Sequence, residues 1–212
     1  MRVYDRTIPA QLMTVLVGLF VIGCGGDSSG GLQSGDVLFQ DFPSPQTEAI
    51  KIATNSDYSH CGLLFYEGDQ AMVWEAVQPV KVTPFDEWVG RAPDSHFVAM
   101  RLIGADTLLD AATLQRMQDY ARPFMGRDYD LVFAWDDQRF YCSELVWKMY
   151  TNGAGIELCP TRELGDYILS HPVVQQKLKE RYGSNVPLEQ EVVAPADLFN
   201  SERLRLVDQP IP

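Results

Sequence analysis

The sequence predicts a domain that mixes helices with antiparallel strands. Two stretches carry that expectation. Residues 58–66 and 71–77 are apolar runs separated by Glu67-Gly68-Asp69-Gln70, and Gly-Asp between such runs signals a two-residue hairpin. From Cys142 onward, Leu145, Val146, Met149 and Tyr150 recur at the spacing of a helix with one buried face. Gly153 supplies a stop signal for that helix, and Asp136, Asp137 and Gln138 read as the loop before it.

The remaining elements follow in order. Residues 35–40 read as a first strand after a turn, and Ser44-Pro45 as an N-cap with Pro at the first helical position, opening a short helix that Asn55-Ser56-Asp57 breaks. After the hairpin, residues 80–83 read as a strand, 85–89 as a helical turn and 96–102 as another strand. Residues 107–124 read as a helix capped by Thr107, with Gly126 ending it. Residues 162–169 and 173–182 read as helical, and 192–199 and 204–207 close the domain. His96 and His171 fall in loop positions with no acidic or Cys neighbour at useful spacing.

The chain has 212 residues, enough for one domain with a sizeable core and short extensions. Its net charge is −12; Arg2, Arg6 and Asp5 leave residues 1–23 at +1, so the remainder carries −13. An acidic body has no electrostatic attraction for nucleic acid. Residues 12–22 form an apolar run too short to span a bilayer comfortably, and it ends in Val21-Ile22-Gly23-Cys24. That ending resembles the bacterial lipobox. It implies a signal peptide over 1–23, lipidation of Cys24 and a Gly/Ser-rich tether over 24–34. Gly25, rather than Asp, follows Cys24. The resemblance therefore implies export with a lipid anchor in the outer membrane, facing the periplasm. Cys61, Cys142 and Cys159 remain in the domain, an odd number, with no Cys-x-x-Cys or His-x-x-x-His spacing for zinc; no metal or other cofactor is expected.

The chemistry-bearing residues separate into two groups. Cys142 begins a helix, where free backbone N–H groups and the positive dipole end favour a thiolate and can hold an oxyanion. In the hairpin, Glu67 opposes Gln70, so Gly62 opposes Glu75 and His60 opposes Val77. Alternation puts His60 and Glu75 on one face, roughly 5.5–8 Å apart as diagonal neighbours, with Gly62 leaving room beside them. A carboxylate that orients an imidazole completes a nucleophile–base–acid triad. Read separately, His60 is an ordinary strand histidine, Glu75 a solvated residue and Cys142 a small core residue; their joint pattern favours chemistry. Cys61 points to the opposite face and reads as core.

Tyr129-Asp130, Tyr141-Cys142-Ser143-Glu144-Leu145-Val146, Gly35-Asp36-Val37 and Ser59-His60 together resemble NlpC-type papain-like peptidases. Because His60 and Glu75 precede Cys142, the order resembles the circularly permuted, YiiX-like branch. The resemblance covers residues 35–208. It implies a permuted papain-like α+β core, with an antiparallel sheet packed on the nucleophile-bearing helix. It further implies a cysteine hydrolase acting on an amide or acyl bond, most simply a peptide amide of the cell wall. Tyr129 is carried over as a second oxyanion donor beside the Cys142 N–H, and Tyr141 and Ser143 as site residues; Arg139 borders the motif. Two alternatives stand: a lipid-directed thioesterase or acyltransferase, and a silent binding lipoprotein. An apolar, acyl-sized groove beside Cys142 would favour the lipid reading, and a short polar cleft the peptide one.

Overall fold

The computed structural model describes residues 31–207. The expected signal peptide, the Cys24 lipidation site and tether residues 24–30 lie outside the described residues. Leu32, in the stretch expected as tether, is buried against the core, and Ser34 Oγ accepts the Tyr66 N–H at 2.9 Å. The packed chain thus starts before residue 35.

Six strands form one antiparallel sheet: β1 (Val37–Gln40), β2 (His60–Glu67), β3 (Gln70–Glu75), β4 (Lys81–Pro84), β5 (Val98–Leu102) and β8 (Leu204–Leu206). Their spatial order is β4-β3-β2-β1-β5-β8. Strands β6 (Arg162–Glu163) and β7 (Glu191–Val192) make a separate two-stranded ladder. The hairpin has the expected register, Glu67 opposite Gln70 and Leu63 opposite Trp74. Gly62 is required there: a Cβ would come within 2.5 Å of Val73 Cγ1 and 3.5 Å of Glu75 Cβ. The room beside Gly62 is therefore filled chiefly by Val73, with Glu75 next to it.

The two faces of the sheet bury different partners. Cys61, Leu63, Phe65 and Trp74 face the larger core, which contains Cys142, Leu145 and Val146 of helix α5 (Cys142–Lys148). Leu38, Leu64 and Val73 face a smaller core closed by Phe85 and Trp88 of α2 (Phe85–Val89). Burying both faces explains why β1 and most of β2 read as apolar runs rather than clean alternation. Asp36 is held by Arg101, with Nε and a terminal nitrogen each 2.7 Å from the carboxylate. The Gly35-Asp36-Val37 motif thereby ties β1 to β5.

Four local expectations are corrected. Helix α1 (Thr47–Thr54) starts two residues later than Pro45 allows, with Gln46 as N-cap. The helix expected over 107–124 is broken: α3 (Ala105–Leu108) ends before Asp110, whose carboxylate caps α4 (Ala111–Ala121) by accepting the Thr113 N–H at 2.8 Å. A short Asp side chain at an N-cap competes well with Thr107. Residues 162–169 are not helical, because Arg162 and Glu163 pair with β7 and only Leu164–Asp166 make a 3-10 turn. Gly153 does not stop the cysteine helix. The chain continues as a π turn (Met149–Ala154), and Gly155 caps it at φ 72°. Gly153 instead lets that turn press on α4, where a Cβ would lie 2.5 Å from Met117 Cα. The remaining helices are α6 (Pro172–Tyr182) and α7 (Pro195–Phe199).

Candidate active site

Cys142 begins α5 and is only 3% exposed. Glu144 and Lys148 brace the helix from behind. The Glu144 carboxylate accepts the Tyr141 N–H at 3.3 Å and pairs with Lys148 Nζ at 2.8 Å. Ser143 Oγ donates to the Val193 carbonyl at 2.7 Å, and Tyr141 Oη accepts the Val193 N–H at 3.2 Å. These two expected site residues line the cleft with Cys142, but their hydroxyls clamp α5 onto the 192–195 segment. Arg139 is not among the cleft residues; it is half exposed, 3.9 Å from Asp130.

His60 is the first residue of β2, so its ring lies at the end of the sheet, within reach of both sides. Its Nε2 is 2.8 Å from Glu75 Oε2. That leaves Nδ1 as the ring nitrogen free for Cys142, whose hydrogen bonding and charge favour the protonated imidazole. Glu75 is fully buried, and its other oxygen accepts from Thr83 Oγ1 at 2.6 Å and an Arg91 terminal nitrogen at 2.5 Å. A buried carboxylate is tolerable when both its oxygens are hydrogen-bonded in this way. Phe42 and Trp88 flank the imidazole, with centroids at 5.1 and 6.2 Å. They shield the pair from water and so strengthen its electrostatics.

The charges are set accordingly. Burial opposes ionisation of Glu75, but His60, Thr83 and Arg91 outweigh it and bring the carboxyl down to about 2. Burial also opposes a charged His60, yet hydrogen bonds and attraction from Cys142 and Glu75 raise it to about 9. Hydrogen bonding from the Cys61 side chain leads the effects on Cys142; with His60 and the Cys61 N–H it overcomes burial and holds the thiol well below its usual value. A thiolate–imidazolium pair is the favoured resting state between those limits.

Cys61 is the residue that the sequence undervalued. It does lie on the face opposite His60, in the core, as expected. But α5 docks on that same face, so Cys61 shares the core cluster of Cys142 and lowers its thiol. Burial and the neighbouring Cys142 charge push the Cys61 thiol well up, leaving it protonated as a donor. All three described cysteines are free, and burial raises Cys159 to about 12. Thr83 and Arg91 were also missed. Thr83 lies opposite Val73 and shares its face with Glu75, a placement the β3–β4 register could have revealed; Arg91 follows α2 and carries no spacing signal.

Tyr129 pairs with Phe140 in an isolated bridge, and its side chain lines the same cleft as Cys142. That cleft, of about 90 Å³, runs between α1 and α6. Its walls are almost wholly apolar, including Ala49, Ile50, Phe133, Leu169, Val174 and Leu178. Two cations, Lys177 and Arg181, also line it, with Gln46, Thr54, Ser143 and the hydroxyl-bearing Tyr129, Tyr141 and Tyr167. Among the described residues, no group of three or more His, Cys, Asp or Glu side chains is placed to hold a metal ion.

Comparison with known proteins gives the family and the fold. The profile of the permuted papain-like amidase enzymes, the YaeF/YiiX or C92 family, matches residues 31–208. YiiX of Escherichia coli K12 is 42% identical over 175 residues, spanning 82% of this chain and 85% of that protein. A crystal structure from Escherichia coli O157:H7, described as metalloprotein YiiX, superposes with a TM-score of 0.79 at 42% identity, covering 85% of this chain and 98% of that one.

Proposed function

Since the chain belongs to the permuted papain-like amidase family and is a cysteine hydrolase of amide bonds, we propose that Cys142, His60 and Glu75 are its triad and that its substrate carries an apolar acyl chain. The observation that carries this reading is the position of Cys142 at the wall of an almost wholly apolar cleft, electrostatically coupled to a histidine anchored by a buried glutamate. The Cys142 thiolate attacks the carbonyl carbon, and the oxyanion forms against the Cys142 N–H and the Tyr129 hydroxyl. His60 gives its proton to the leaving amine. Water, deprotonated by His60, then attacks the thioester, and Cys142 leaves as thiolate.

A cell-wall peptide end offers little apolar surface to such a cleft, so the acyl reading is favoured over the peptide one. The test compares N-acyl amides of increasing chain length with γ-D-glutamyl–diamino acid peptides. Each methylene buried contributes about 0.8 kcal/mol, so kcat/KM should rise roughly fourfold per carbon until the cleft is full. Turnover of the peptides, with no dependence on chain length, would restore the cell-wall substrate.

A lipid at Cys24 in the outer membrane would hold this cleft close to a source of acyl chains. Mass spectrometry of the mature N-terminus should then find acylated Cys24, and Cys24→Ser should release the protein from the membrane fraction. A mature chain cut elsewhere and free of lipid would remove the anchor.

A further inference from the structure

Two residues that no motif marks form a hydrogen-bonded chain to the Tyr129 hydroxyl. Gln46 precedes α1, Arg181 lies in the last turn of α6, and both line the cleft with Tyr129 and Cys142. An Arg181 terminal nitrogen donates to Gln46 Oε1, and Gln46 Nε2 donates to Tyr129 Oη at 3.0 Å. The guanidinium itself is fixed over the Phe133 ring, 4.5 Å from its centroid.

The direction of this chain is forced by the inventory of donors. A guanidinium has donors only, so the oxygen of the Gln46 amide must face it. The amide NH2 is then turned to Tyr129, whose phenol oxygen must accept. The Tyr129 proton is therefore not used on Gln46 and stays available to the cleft that Tyr129 lines together with Cys142. Burial first, and then the Cys142 charge, keep that phenol protonated.

We propose that Arg181 and Gln46 are positioning residues that aim the Tyr129 O–H at the reacting carbonyl oxygen. This rests on Cys142 being the nucleophile. When the thiolate adds to the carbonyl carbon, the π electrons move to oxygen, and the Tyr129 hydroxyl donates a hydrogen bond to that oxyanion without giving up its proton. Neither Arg181 nor Gln46 needs to touch the substrate.

Gln46→Glu separates this role from a packing role. The carboxylate keeps the size of the amide and strengthens the tie to Arg181, but it has no donor. It must accept the Tyr129 O–H, which turns the proton away from the site. The probe is p-nitrophenyl octanoate, whose acylation of Cys142 releases p-nitrophenolate as a burst. Gln46→Glu should slow the burst roughly 100-fold, as loss of one oxyanion donor does, with little change in half-saturating probe concentration. Tyr129→Phe should lose about as much, and the double variant no more than either. Arg181→Lys, which keeps a donor toward Gln46, should retain most of the rate, while Arg181→Met should approach the Gln46→Glu value. A wild-type burst in Gln46→Glu, or losses that multiply in the double variant, would overturn the proposal. A burst that survives in Cys142→Ala would instead overturn the assignment of the nucleophile, so the two failures are distinguishable.

Discussion

Replacing Cys142 by Ala should abolish amide turnover, a loss on the order of 10⁵–10⁶-fold, while the protein stays folded. The magnitude follows from removing the nucleophile of a triad whose members act as a unit. The fold should survive because the change deletes one sulfur atom at the start of α5. The clamp on that helix, from Ser143 and Tyr141 to Val193 and from Glu144 to Lys148, is untouched. A destabilisation of about 1 kcal/mol is the expected order. The check pairs turnover of an N-acyl amide with thermal unfolding of both proteins. Turnover within tenfold of wild type in a folded Cys142→Ala protein would show that the chemistry lies elsewhere.

The second large effect is on thiol reactivity. Iodoacetamide at mildly acidic pH should label Cys142 selectively, because Cys142 is held well below the usual thiol range whereas Cys61 is pushed well up and Cys159 to about 12. The thiolate–imidazolium pair extends from the lowered Cys142 value up to about 9, where His60 loses its proton. Alkylation should therefore persist as pH falls below neutrality. Amide turnover should decline as pH rises through about 9, when His60 can no longer protonate the leaving amine. His60→Ala removes the cation. The thiol then moves up toward its usual range while the Cys61 donor remains, so labelling at pH 6 should fall by at least roughly tenfold and recover in alkali. Glu75→Gln should lose less, since an amide still orients Nε2 but cannot support the imidazolium. Labelling of all three thiols at equal rates, unchanged in His60→Ala, would make Cys142 a structural cysteine.

The hairpin illustrates how far local rules reach. Gly68-Asp69 dictates the turn, the turn dictates the register, and the register brings His60 to Glu75 at 2.8 Å. Each step involves neighbours within a short span of chain, so each is written locally. The helix from Cys142 is legible for the same reason, through a stripe of apolar residues that buries one face. Its end was misjudged because Gly153 has two uses that look alike in sequence, ending a helix or admitting a close neighbour. Only the approach of α4 decides between them.

By itself, then, the sequence determined the α+β class and a few local contacts: the hairpin register, the helix that presents Cys142, and the His60–Glu75 pairing. Tertiary structure alone decided what lies across those elements. Alternation places Cys61 and His60 on opposite faces, but it does not say on which face α5 will dock; packing put α5 over Cys61 and made that thiol a partner of Cys142. Gln46, Tyr129 and Arg181 are 83 and 52 residues apart along the chain and carry no mutual periodicity. They meet because α1 and α6 close over the loop at Tyr129, an outcome of burying apolar surface that has no direction along the sequence.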